Sequence, residues 1–171
     1  MARSSDQNEL DRLVTEHLPS ALRFATRLTG DADRAEEVVQ EALVRVSRSW
    51  KTFRREARFQ TWLFRIVINV FRSRPLAIRD RAVPLASEVA DVRAADPAIG
   101  AQEGELAELI AARISALPAR QREVMVLTSF EGLSVKETAS LLKITEANVH
   151  ATLVVARARL TKELAPYFAR R

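Results

Sequence analysis

The sequence contains no cysteine, only four glycines and only two histidines in 171 residues. Without cysteine the chain can form no disulfide, no thiolate metal site and no thiol nucleophile. Two distant histidines do not make a zinc site, and the sequence has no nucleophile–histidine–acid set and no glycine-rich phosphate loop. We therefore expect no enzymatic activity, no bound metal and no cofactor.

Long apolar runs are also missing. No stretch approaches the roughly 20 apolar residues that a membrane helix needs. The N-terminal segment has no apolar core of the kind found in signal peptides, and it carries four acids, Asp6, Glu9, Asp11 and Glu16. The sequence therefore predicts a cytoplasmic protein.

The residues that are abundant predict an all-α fold. Alanine, leucine, arginine and glutamate favour helices, and glycine is scarce. Between residues 74 and 104, prolines and glycines recur and no amphipathic period lasts two turns. We predict two small helical domains, 1–73 and 105–171, joined by a flexible linker at 74–104.

Apolar spacing predicts three helices in the first domain, over 6–29, 33–50 and 59–73. Pro19 is expected to bend or divide the first of them. Gly30 is expected to end that helix, and Asp31 or Asp33 to cap the next one.

The second domain has the pattern of a helix-turn-helix. Ser134 and Glu137 have the spacing of a capping box at the start of a helix. A tight connection over 142–145 then leads to a second helix, predicted over 146–164, in which Thr145 is a candidate N-cap. In a helix-turn-helix this second helix enters the major groove of DNA.

Charge reverses sharply within the first domain. Residues 31–41 hold five acids against one base, for a net charge of −4, whereas residues 48–74 hold eight bases against one acid, for a net charge of +7. Charge runs are usually solvated helix faces, and aromatics at helical spacing are usually core. The reversal, with aromatics interleaved in the basic half, nevertheless indicates a protein that bridges a basic partner and a nucleic acid.

Two adjoining stretches, DADRAEEVVQEALVRV and FRREARFQTWLFRIVIN, resemble region 2 of extracytoplasmic-function (ECF) sigma factors of the sigma-70 family. The resemblance implies that the first helix docks on the clamp helices of RNA polymerase core. It also implies that the following loop and helix recognise and open the −10 promoter element. By position, the implied polymerase-facing residues are Asp33, Glu37, Gln40 and Glu41. The implied −10 residues are Arg54, Arg55, Arg58, Trp62, Arg65, Asn69 and Arg72.

The stretch ALPARQREVMVLTSFEGLSVKETASLLKITEANVHATLVVARARL resembles region 4 of the same family. That region reads the −35 element and contacts the polymerase flap. The implied −35 residues are Asn148, His150, Ala151, Thr152, Arg157 and Arg159.

This chain departs from the family pattern in the recognition helix. His150, Ala151 and Thr152 stand where the family usually has Lys-Ser-Arg, and Val155 and Lys143 replace a usual arginine and a usual turn glycine. Our hypothesis is that this domain reads DNA weakly or reads an unusual −35 sequence, with another DNA-bound partner helping to place it.

The resemblance implies a transcription initiation factor. Its expected partners are RNA polymerase core, promoter DNA in duplex and single-stranded form, and an anti-sigma factor or another regulatory protein. Two alternatives remain open. A sigma mimic that sequesters an anti-sigma factor is favoured by the altered recognition helix and opposed by the TWLFRIVIN helix and by the intact basic loop, which is predicted over residues 51–58. A simple helix-turn-helix regulator would leave the first domain unexplained.

Overall fold

A computed structural model describes residues 2–54, 58–75, 79 and 97–169, and the fold is all-α, as predicted. A single 3-10 turn (Trp50–Thr52) follows α2, and α5 continues into a π-helical turn (Val126–Phe130). None of the helices in the described ranges has the length and apolar character needed to cross a membrane. The helices are α1 (Ala2–Thr29), α2 (Ala32–Ser49), α3 (Phe59–Ser73), α4 (Pro97–Ser115), α5 (Ala119–Met125), α6 (Val135–Leu142) and α7 (Glu146–Phe168).

Helices α1, α2 and α3 pack together as an N-terminal unit. Gly30 ends α1 with a positive φ of 71°, which glycine adopts without strain. The carboxylate of Asp31 then accepts the backbone N–H of Arg34 at 2.9 Å and caps α2. The predicted stop signal and one of the two predicted caps are therefore confirmed, and α3 has the predicted bounds.

Pro19 was expected to bend or divide the first helix, and the structure excludes a division of α1. The helix is continuous from Ala2 to Thr29. Proline removes one backbone donor from the helix. Buried side chains on both sides of it, including Leu10 and Phe24, hold the two halves against the same core.

Helices α6 and α7 form the predicted helix-turn-helix of the C-terminal unit. The Ser134 hydroxyl accepts the backbone N–H of Glu137 at 3.2 Å, and the Glu137 carboxylate accepts the backbone N–H of Ser134 at 2.8 Å. Lys143 makes the turn in the left-handed region, at φ 55° and ψ 51°. Thr145 caps α7 by accepting the backbone N–H of Asn148 at 3.1 Å.

Two helices of the C-terminal unit extend beyond the bounds expected from the sequence. Helix α4 begins at Pro97, upstream of the predicted start at residue 105, and α7 passes through Pro166 to Phe168. Residues 76–78 and 80–96 lie outside the described ranges, so a flexible linker over 74–104 stays a prediction.

A fully buried arginine joins the two units. The Arg122 side chain on α5 is 0% exposed. Its guanidinium donates to the carbonyl oxygen of Leu28 near the C-terminal end of α1, to that of Leu117 at 3.0 Å and to that of Arg79 at 2.9 Å. Carbonyls in the last turn of a helix have no partner within the helix and carry partial negative charge, so a buried cation is favourable there.

A carboxylate cluster lies beside this arginine. Glu123, whose side chain is 1% exposed, accepts two hydrogen bonds from Arg72 of α3, at 3.0 and 2.6 Å. Arg79 and Arg120 each donate to it at 3.4 Å. We call these four residues the Glu123 cluster. Because Arg72 belongs to the first unit and Glu123 to the second, the cluster ties the units together.

A second ion pair between the units lies at the end of the π-helical turn. Arg27 of α1 donates to Glu131 at 2.9 Å, and its guanidinium also lies 4.9 Å from the centre of the Phe130 ring. Burial raises the pKa of Glu131, and the charge and hydrogen bond of Arg27 only partly offset that effect. The raised pKa means that this carboxylate is destabilising when charged, and lowering the pH towards its folded-state pKa relieves the cost.

We expect Glu123→Gln to weaken the packing between the units. Removing one partner of a buried ion pair costs about 3–5 kcal/mol, because the remaining charge is left without compensation. The predicted result is a lower melting temperature, or separation of the units seen as a larger radius of gyration in small-angle X-ray scattering. The matched control is Glu16→Gln, which breaks an exposed pair with Arg12 and should cost less than about 1 kcal/mol. Equal effects of the two variants would contradict the structural role of Glu123.

We expect Ser134→Ala to lower the free energy of unfolding by about 1 kcal/mol at neutral pH, because it removes the N-cap of α6. Hydrogen bonds from the Ser134 side chain and backbone hold the pKa of Glu137 below its usual 4.5. A depressed folded-state pKa adds stability above 4.5 that is lost as the pH falls through the folded value. The difference between wild type and variant in urea unfolding should therefore shrink in acid. A constant difference would exclude the carboxylate from the cap.

Candidate functional site

The acidic predicted residues lie on one face of α2. Val38, Val39 and Ala42 are buried against the core, which turns the opposite face outward. On that outward face Asp33, Glu37 and Gln40 are exposed and Glu41 is half-buried.

One cation from the end of α3 reaches this acidic face. Arg74 donates to Glu37 at 3.1 Å and lies 3.7 Å from Glu41, which also pairs with Arg45 one turn along α2. The Glu37 side chain nevertheless remains 62% exposed. Exposed ion pairs of this kind contribute little and exchange readily, so the face is accessible to a basic partner.

The aromatic residues after α2 form a cluster of rings. Trp50, Phe53, Phe59 and Trp62 lie with ring centroids 4.9 to 6.4 Å apart. Phe59 is buried, whereas the other three are half-buried. The core interpretation therefore holds for Phe59, and the exposed parts of the remaining rings form an apolar surface beside the basic loop.

The predicted −10 residues lie in the segment before α3 and along α3. Arg54 and Arg58 are exposed on either side of residues 55–57, and Arg55 falls outside the described ranges. On α3, Asn69 is exposed, and Arg65 is half-buried with its Nε–H lacking an acceptor. Exposed guanidinium groups such as those of Arg54 and Arg58 are suited to phosphates, and exposed aromatic faces are suited to unpaired bases.

Arg72 differs from the other predicted −10 residues because it is engaged within the molecule. It donates to Glu123 through two nitrogens and to the Leu142 carbonyl oxygen at 3.4 Å. The charge of Arg58 also contributes to lowering the pKa of Glu137 on α6. Two of the cations predicted to face DNA therefore lie near acids of the C-terminal unit in this arrangement.

The predicted −35 residues lie on α7. Val149, Leu153 and Ala156 are buried and fix the rotation of the helix. Most of the predicted set is exposed, whereas Thr152 is half-buried, and Arg159 pairs with Glu163 at 3.3 Å. The exposed members of that set are Asn148, His150, Ala151, Arg157 and Arg159.

The sequence-based prediction omitted part of the exposed surface of α7. Val154 is 68% exposed and Val155 is 54% exposed, and Ala147 and Ala158 on the same side are exposed as well. Their helical spacing was visible in the sequence. The sequence did not show whether these apolar residues face the core or the solvent.

Among the described residues, no three His, Asp or Glu side chains gather in a way that could hold a metal ion. The features that stand out are three surfaces instead: the acidic face of α2, the basic and aromatic region from the loop into α3, and the outward face of α7.

Comparison with known proteins identifies the family of both units. The family model for Sigma-70 region 2 matches residues 13–82, and the model for Sigma-70, region 4, matches residues 107–160. The chain is 30% identical to the RNA polymerase sigma-H factor of Pseudomonas aeruginosa, across 94% of this chain and 89% of that protein.

Solved structures with similar folds include two complexes. The structure of CnrH with the cytosolic domain of CnrY matches with a TM-score of 0.66 and 30% identity, covering 94% of this chain and 90% of that chain. The sigma factor RpoE from Bartonella quintana, solved with the anti-sigma factor NepR, matches with a TM-score of 0.71 over 92% of this chain and 97% of that chain. Its identity of 23% supports the likeness of fold.

Both regions occur in the family's order, and a sigma factor is matched over most of its length. The chain therefore belongs to the sigma-70 family, as an RNA polymerase sigma factor of the extracytoplasmic-function type.

Proposed function

We propose that this sigma factor binds core polymerase through α2 and promoter DNA through two further surfaces, one around α3 and one on α7. The observation that carries the proposal is the reversal of charge between two helices that pack side by side. In this division, residues 1–73 dock on the clamp and open the −10 element, residues 105–171 read the −35 element and contact the flap, and residues 74–104 link them.

The polymerase surface is formed by Asp33, Glu37, Gln40 and Glu41. Three of them are exposed, and Glu41 is reachable beside them. A basic surface on the enzyme would replace Arg74 as the partner of Glu37 and Glu41. Because Arg74 is itself at the end of α3, this exchange would free a cation next to the −10 surface.

The −10 surface consists of Arg54, Arg55, Arg58, Trp62, Arg65, Asn69 and Arg72. Opening a promoter unstacks bases at a cost of a few kcal/mol for each flipped base. Base stacking on aromatic faces recovers about 1–3 kcal/mol per base. The half-buried ring of Trp62 is held by its neighbours, so little conformational freedom is lost when a base stacks on it.

Arg72 links DNA binding to the arrangement of the two units. Its donors are occupied by Glu123, and a promoter phosphate would have to take the place of that carboxylate. We infer that the units separate at the Glu123 cluster before the −10 surface is complete.

The chain itself catalyses no reaction in this proposal, and it needs neither metal nor cofactor. RNA synthesis belongs to the polymerase, and the sigma factor contributes differential binding to closed and opened DNA. Because the enzyme works in the bacterial cytoplasm, the chain acts there.

An anti-sigma factor is a further proposed partner. The solved Bartonella quintana structure holds a sigma factor of similar fold together with an anti-sigma factor. In this chain the two units already meet through the Glu123 cluster and the Arg27–Glu131 pair. A protein that bound both units at once would stabilise this closed arrangement and keep Arg72 from DNA.

Run-off transcription with purified core polymerase on genomic promoter fragments tests the proposed function. The sigma factor should produce specific start sites that core enzyme alone does not give. A chain that produced none but bound an anti-sigma factor would be a mimic. A chain that bound duplex DNA in the same way with and without polymerase would be a simple regulator.

Reversing the charge of the polymerase surface should abolish core binding. For Glu37→Lys with Glu41→Lys, we expect at least about a hundredfold weaker binding, since truncating one partner of a buried charge pair already costs about 2–5 kcal/mol. The matched control is Asp11→Lys with Glu16→Lys on exposed α1 positions, which makes the same change in net charge. Circular dichroism checks that both variants are folded. Unchanged core binding in the first variant would remove these residues from the docking surface.

Neutralising the basic loop should impair promoter opening and spare polymerase binding. For the triple variant Arg54→Gln, Arg55→Gln, Arg58→Gln, the slope of log affinity against log salt should fall by about 2, because each phosphate contact on single-stranded DNA contributes about 0.7.

Permanganate footprinting of unpaired thymines measures opening in the same samples. The control variant neutralises Arg12, Arg23 and Arg113, which are exposed elsewhere. Normal open complexes in the loop variant would show that the loop is not the melting surface.

A further inference from the structure

The outward face of α7 is apolar where a DNA-reading helix usually carries polar or charged side chains. At 3.6 residues per turn, successive side chains are about 100° apart around the helix. Ala147, Ala151, Val154 and Ala158 therefore point within about 40° of the direction opposite buried Val149. Val155 lies next to them, and all five are exposed. We call these five residues the alanine–valine stripe.

Polar and charged residues border the stripe on both sides. His150 and Arg157 lie along one edge, and Asn148 and Arg159 lie along the other. A helix in the major groove lies between two phosphate backbones, so cations at both edges and none in the middle fit that position. A patch that bound an apolar surface of another protein would not need polar and charged residues along both of its edges.

We propose that the stripe reads thymine methyl groups, so that the −35 site of this sigma factor is selected for A·T pairs. The inference rests on the proposed function of α7 as the −35 helix. The thymine methyl is the apolar group that the major groove presents, and alanine, threonine and other small apolar groups contact it. Methyl and isopropyl side chains that are exposed in the free protein would be buried against it.

Two further observations agree with A·T selection. Asn148, at the start of α7, has the amide group that pairs with the N6 and N7 atoms of adenine. Arginine and lysine, which read guanine, are absent from the middle of the stripe. The arginines that could favour G·C pairs, Arg157 and Arg159, therefore lie at the edges of the stripe, where they would contact phosphates.

The geometry limits the length of the site. Ala147 and Ala158, the two ends of the stripe, are separated by about 16 Å along the helix axis, which corresponds to at most about five base-pair steps. The N-terminal unit does not cover the stripe, since all five residues of the stripe stay exposed while the two units are packed together. It is thus available to DNA without further rearrangement of α7.

The experiment uses holoenzyme assembled from the full chain and core polymerase. Promoter duplexes with a randomised −35 region and a fixed −10 region from a mapped start site are selected by binding. We expect enrichment of about three to five neighbouring A·T pairs, on the order of what the stripe spans. Enrichment of G·C pairs, or of sequences without thymine, would overturn the inference.

The selected duplex is then remade with deoxyuridine in place of each enriched thymine, which removes only the methyl group. Each contacted methyl should cost about three- to fourfold in affinity, the effect of withdrawing one buried methyl group from an apolar contact. Deoxyuridine at a position outside the enriched site is the control.

A double-mutant cycle assigns the contact to α7. Val154→Ser removes both methyl groups of the side chain at a position that is 68% exposed, so the fold is preserved. With this variant the deoxyuridine penalty at the contacted position should disappear. The same penalty in wild type and variant would overturn the assignment of Val154.

The outcomes separate this inference from the proposed function. Specific promoter binding with equal affinity for thymine and uracil would leave the −35 role intact and overturn methyl reading, and the stripe would then be a surface for a protein. Binding with no sequence preference in the −35 region would overturn both.

Discussion

The closed arrangement of this protein depends on two consecutive charged residues, Arg122 and Glu123, that are both buried. Arg122 donates to the carbonyl oxygen of Leu28 at the end of α1, and Glu123 accepts from the guanidinium of Arg72. Burying either charge without partners would be strongly unfavourable, and residues of the N-terminal unit supply part of the partners of each. The packing of the two units is therefore specified by polar geometry as well as by apolar contact.

Three cations on or next to the proposed −10 surface lie close to acids of the same chain. Arg74 contacts the acidic face of α2, Arg72 contacts Glu123, and Arg58 lies near Glu137. Of the proposed −10 residues, Arg72 forms an ion pair with an acid of the same chain, whereas Arg54 and Arg58 are exposed. The free protein therefore keeps part of the positive charge that the proposed −10 surface would offer to single-stranded DNA.

Local signals allowed most of the fold to be predicted from sequence. Asp31, Ser134 and Thr145 act through backbone donors within three residues, and such short-range chemistry is readable without a structure. The Arg72–Glu123 pair spans 51 positions, and nothing in the local pattern connects these residues. Exposure of Val154 and Val155 was likewise unpredictable, because apolar spacing does not say which side of a helix faces solvent. The assignments of individual residues to polymerase or DNA remain predictions.

Lys143 gives the helix-turn-helix a property that the usual glycine would not. A side chain in the left-handed region costs roughly 1 kcal/mol compared with glycine. In exchange, an exposed ammonium group stands two residues before the cap of α7. The turn therefore carries backbone strain and a positive charge at the same residue. That charge would attract the phosphates of a nucleic acid at a distance at which no base is yet contacted.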